Sequence, residues 1–181
     1  MTARFHRAFT LIELLVAMTI AGLLLVLALP NYTQWMADSE IRNGAQSVAN
    51  GLRAAQAAAI SHNLDAQFVL GATGWNVAMV ATPLVPLQTG SFNEGQRATF
   101  VGIDQGGLAA TTIAFNALGQ ATLNPTNLVR VDVSLPSVAG TRPLRVLVGF
   151  LPTSAVPFHG VKLCDPAWTL IDPNDPKACP S

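Results

Sequence analysis

The residue in this sequence with most to explain is Glu13. It is the one ionisable side chain in an apolar run from Phe9 to Leu29, and that run has the length a helix needs to cross a bilayer core, roughly 20 residues at about 1.5 Å each. A carboxylate in such a helix costs about 2.5–3.5 kcal/mol at a central site, so it calls for a cationic partner. No Lys or Arg lies between Phe9 and Leu29, which excludes an i,i+4 pair within the run. An α-amino group would stand one helical turn before Glu13 if the chain began at Phe9. Residues 1–8, with Arg4 and Arg7 and ending in the small Ala8, have the composition of a removable basic leader. A secretory signal or a plain membrane anchor is the competing reading, but a secretory apolar region is shorter and neither requires an acid.

The remaining chemistry-bearing residues form no catalytic set. His6, His62 and His159 are scattered, and there is no G-x-S-x-G elbow, phosphate loop or paired-carboxylate site. The sequence therefore reads as a non-enzyme without cofactor, metal or small-molecule substrate. Asp165, Asp172 and Asp175 gather near the C-terminus, but their spacing matches no calcium loop and reads as solvated carboxylates. Ten basic and ten acidic residues balance, and loss of Arg4 and Arg7 leaves eight against ten. That charge gives no global pull towards nucleic acid. The leader arginines, with no basic residue just after Leu29, place the N-terminus in the cytoplasm and the bulk of the chain outside. Cys164 and Cys179 are the only cysteines; in an exported domain such a pair is most simply a disulfide, and the competing zinc site lacks a C-x-x-C.

Three regions are expected to position these groups: residues 1–8 as leader, 9–30 as membrane and assembly helix, and 31–181 as an external domain of ordinary size. Ile41, Ala45, Val48, Leu52, Ala55 and Ala59 recur near every 3.6 residues, with Asp38, Arg42, Asn43, Gln46, Asn50 and Arg53 on other faces. One helix from Phe9 to about His62 accounts for both halves. Pro30 predicts a kink or local melting around residues 26–30, and Gly22 adds a second soft point. The apolar stripe of the second half should pack under a sheet. Trp35, just past Pro30, suits an interfacial anchor, whereas Trp75 and Trp168 suit a core or its rim.

Beyond Ala66 the period is that of strands. Gln67–Leu70 and Trp75–Ala81 read as a hairpin about Gly71–Gly74. Thr82–Gly95, with Pro83 and Pro86, reads as a loop. Strands follow at Ala98–Ile103 and Thr111–Asn116, the latter ending in a turn at Ala117–Gly119. Val129, Val131, Val133 and Leu135 alternate with Arg130, Asp132 and Ser134, and Leu144, Val146, Val148 and Phe150 form the matching row of a second hairpin. A short strand, Gly160–Leu163, precedes a proline-rich tail expected to be extended and held by the disulfide.

The run Ala8-Phe9-Thr10-Leu11-Ile12-Glu13 resembles the class III signal of type IV prepilins and type II secretion pseudopilins, which have Gly where Ala8 stands. The resemblance implies cleavage between Ala8 and Phe9 by a membrane-embedded prepilin peptidase, methylation of the new amine, and attraction of that amine to Glu13 of a neighbouring subunit. It implies an α+β pilin fold, a long helix packed on an antiparallel sheet with a disulfide-closed tail. The partners would be other pilins or pseudopilins and the inner membrane. Gly160-Val-Lys-Leu-Cys164-Asp-Pro166 and Ala178-Cys179-Pro180 are similar to the ending of the GspH/FimT group of minor pilins and pseudopilins. Some FimT-like pilins bind DNA through Gly-Arg-x-Arg shortly before the cysteine. Here that stretch keeps a single cation, Lys162, so DNA contact by Lys162 with Arg130, Arg142 and Arg145 is the alternative rather than the favoured reading.

Overall fold

A computed structural model describes residues 10–92, 97–122, 124–149, 160–169 and 177–179. Ala8, Phe9, His6, His159, Phe150, Asp172 and Asp175 lie outside the described residues, as does the side chain of Trp168.

Helix α1 spans Leu11–His62, about 78 Å at 1.5 Å per residue. Thr10 is its N-cap, with Oγ1 accepting from the Glu13 backbone N–H at 3.3 Å. At the other end Asn63 takes the left-handed conformation, φ 52°, and its N–H turns back to Ala59 and Ile60, a terminus for which Asn is a natural alternative to Gly. The helix continues through Gly22 and Pro30, so of the expected kink or local melting the melting does not occur. Pro30 has no N–H to give the Val26 carbonyl, which loses its normal helical donor there.

Eight strands follow: β1 Ala66–Leu70, β2 Gly74–Met79, β3 Pro86–Ser91, β4 Thr99–Ile103, β5 Thr112–Phe115, β6 Arg130–Ser134, β7 Leu144–Val148 and β8 Val161–Cys164. They form two four-stranded antiparallel sheets, β3-β2-β1-β5 and β4-β6-β7-β8, where a single sheet was expected. The sheets meet where Ala110 donates to Gly102 and Leu128 to Thr112, at 3.0 and 2.9 Å. Both close on the second half of α1. Ile41, Ala45, Val48, Leu52, Ala55 and Ala59 are fully buried in one core with Phe68, Trp75 and Val77 of the first sheet and Val131, Val133, Val146 and Val148 of the second. The small alanines let the sheets approach the helix closely, and the expected stripe and alternation are thereby accounted for.

Two further expectations fail. Thr82–Gly95 contains strand β3, paired with β2 from Gly74↔Ser91 to Ala78↔Pro86 across a bulge. Proline at the first residue of an edge strand removes no ladder bond, so the prolines that suggested a loop are compatible with it. The tail after Cys164 is not extended throughout: Pro166–Thr169 form a short helix, α2. Asp165 Oδ1 accepts from Ala167 N–H at 2.8 Å, an Asp cap followed by Pro at the first helical position, where its missing N–H costs nothing.

Candidate functional site: an assembly helix carrying one acid

The two halves of α1 have different surroundings. From Leu11 to Thr33 every side chain described is exposed, and the aliphatic ones touch no other part of the chain's core. Bonds to the head are made from Gln34 onward. Gln34 Nε2 donates to Gly140 O at 2.5 Å, and Asp38 Oδ1 accepts from Arg142 N–H at 2.9 Å, so the β6–β7 turn is fastened to the helix. Glu40 then accepts from the backbone N–H groups of Arg97 and Ala98 and pairs with the Arg97 guanidinium at 3.7 Å. The exposed half is a helix long and apolar enough to cross a membrane. Tyr32 and Trp35, with ring centroids 6.2 Å apart, stand exposed just past its end, where amphipathic rings suit a membrane–water boundary.

Glu13 sits in the first turn of α1 and is exposed. Among the described residues its carboxylate has no ion pair. Thr10 and Glu13 fall at the N-cap and third helical positions, the spacing of a capping box, and Thr10 makes its half of that motif. The acid therefore also faces the positive end of the helix dipole, a favourable place for it. Sequence reading passed over Thr10; the T-x-x-E pattern was the signal.

Residues 4–29 match the family model of the prokaryotic N-terminal methylation motif. That motif indicates a type IV pilin-like protein. The match covers the N-terminal residues from Arg4 and most of the exposed half of α1, and no curated protein or solved structure matches the chain. Its motif implies processing by prepilin peptidase and assembly with other pilins, and with the apolar helix it fits an inner-membrane anchor. The head agrees with a pilin-like α+β fold: one long N-terminal helix on antiparallel sheets, with Cys164 and Cys179 joined as a disulfide. That bridge packs with Leu147 in a small cluster separate from the main core, and a bridge between Asp165 and Ala178 runs beside it.

The four cations named for DNA contact do not form one site. Arg130, Arg145 and Lys162 lie on the face of the second sheet that points away from α1. There the register sets Leu147 between Arg130 and Lys162, and Asp132 opposite Arg145. Asp132 lies between the two arginines, 2.7 Å from Arg145 Nε and 3.4 Å from Arg130 Nε. Arg142 belongs elsewhere. It lines a cleft of about 410 Å³ with Arg42, Asp38, Lys177 and Asp165, over Leu144 and Leu163.

Proposed function

We propose that this pilin-like chain is a minor pilin or pseudopilin of the GspH/FimT type, a non-enzymatic subunit at the tip or initiating complex of a short filament. Residues 1–8 are removed, residues 9–30 anchor the protein in the inner membrane, and the head from residue 31 onward lies in the periplasm. In type II secretion the filament would push folded exoproteins outward; in a type IV pilus the subunit would prime assembly. One observation supports this reading above the others: an exposed apolar half-helix carries a single acid with no ion pair among the described residues. Two copies side by side in low dielectric can join the Phe9 amine of one to Glu13 of the other, recovering desolvation cost that neither group recovers alone.

The test is Glu13→Gln in the full-length protein. Membrane insertion and cleavage are expected to persist while incorporation into sheared filaments falls at least tenfold. Undiminished incorporation would reject the pairing. Mass spectrometry of the same filaments is expected to find a mature chain starting at methylated Phe9, and an intact Ala8–Phe9 bond there would reject the whole reading. The DNA-receptor alternative has less support, because Asp132 offsets the charge of Arg130 and Arg145 and leaves few cations for phosphate contacts.

A further inference from the structure

The outer edge of the first sheet is strand β3, and its second half lacks the devices that usually keep sheet edges apart. From Ala66 to Asn93 the sequence holds no Asp, Glu, Lys, Arg or His, so neither an edge lysine nor an inward charge is present. Pro86 and the bulge opposite Val77/Ala78 guard only the first part of the strand. All of β3 is exposed except the half-buried Gly90. Leu84 and Val85, leading into it, and Leu87, within it, are aliphatic side chains at 93%, 61% and 46% exposure. No membrane-spanning role explains them, because they belong to the head.

The hydrogen-bond phase of this edge follows from one contact. Phe92 N–H donates to Thr73 O at 2.9 Å, making Thr73 and Phe92 a bonded pair. In an antiparallel ladder bonded and non-bonded pairs alternate, so the next bonded pair is Trp75 with Gly90, while Thr89 and Ser91 direct their N–H and C=O groups away from β2. Among the described residues these groups have no partner within the chain. Gly90 lies between them, and the Trp75 ring covers its inner side so closely that a Cβ there would collide with the indole.

We infer that β3 is an interface between two copies of this chain, which pair antiparallel about Gly90. Thr89 of each copy lies opposite Ser91 of the other. This register joins the two outward-facing residues of both strands in ladder bonds and places the two Gly90 residues at the symmetry centre, where non-bonded partners come closest and no Cβ intervenes. Gln88 falls opposite the second copy's Phe92. Because the strand is uncharged, its own copy meets no like charge. A short edge gives a weak contact in solution, and anchoring both copies in one membrane raises their effective concentration. The inference goes beyond the filament reading and does not need it.

Thiol crosslinking of full-length protein in membranes tests it, since Cys164 and Cys179 are already bridged and an introduced cysteine is free. Co-expressed copies carrying Thr89→Cys and Ser91→Cys are expected to form a disulfide dimer on mild oxidation, several-fold more than a Gln67→Cys control. Adding Thr89→Pro to the Ser91→Cys copy should cut that yield several-fold. Proline there deletes an outward N–H and spares the bonds to β2, so thermal unfolding of that variant should stay unchanged. Absence of a dimer from the mixed pair, a yield insensitive to Thr89→Pro, or crosslinking only to a different protein would overturn the inference. Glu13→Gln tests the filament reading separately, because that change leaves the β3 edge intact.

Discussion

At the scale of single residues, the chain separates groups that act outside the fold from groups that hold it together. Glu13 belongs to the first kind in the proposed reading: it occupies the first turn of the helix, and among the described residues its charge has no ion pair. Gly51 belongs to the second. It lies inside α1, where Ala would raise helix propensity by up to about 1 kcal/mol. Yet a Cβ there would stand 2.6 Å from Trp75 Cδ2 and 2.8 Å from Phe68 Cε2. Trp75 has little room to retreat, because Gly90 lies on its other side and its Nε1–H donates to Ser47 Oγ at 3.1 Å. Overpacking of this kind costs about 1–3 kcal/mol. Gly51→Ala is therefore expected to lower head stability by about 1–2 kcal/mol in urea unfolding of the detergent-solubilised chain, despite the better helix former. Periodicity marks Leu52 as core, but the need for glycine beside it arises from an indole twenty-four residues further on, which no local pattern contains.

Among the elements, those with their own periodic signal agree with expectation and those formed by pairing do not. Helix α1, the β1–β2 hairpin and the β6–β7 hairpin each carry an apolar stripe or alternation in their own residues. Strand β3 has no such pattern, because both its faces are exposed; it is a strand only because β2 offers it a ladder. The tail is also held from outside itself. Asp165 N–H donates to Lys177 O at 2.8 Å, and the disulfide closes a sequence separation of 15 residues, which in the chain-entropy model stabilises by about 3 kcal/mol. Replacing both cysteines by serine is expected to lower stability by about 2–4 kcal/mol. Hydrogen exchange should rise at Asp165 and Ala178 well before it rises in β6 and β7, since among the described residues the bridge clusters with Leu147, outside the main core.

For the whole molecule, the consequence is a long helix whose first half is exposed and apolar and whose second half organises a two-sheet head. Gln34 fastens the helix to Gly140 of the head, beyond Pro30. Pro30→Ala, which restores a donor for the Val26 carbonyl, is accordingly expected to leave the melting of the head, followed by near-ultraviolet circular dichroism, within about 0.5 kcal/mol of the parent. A larger shift would mean that the apolar half braces the head. By itself the sequence determined the apolar helix with its lone acid, the amphipathic continuation of that helix, the two main hairpins and the cysteine pair, because each is written in local composition or in a period of 3.6 or 2. Only the tertiary structure decided the split into two sheets, the edge position of β3, the glycines under Trp75 and the dispersal of the four cations. Those features depend on which distant segments come to lie side by side, and a one-dimensional pattern records that only where burial imposes it.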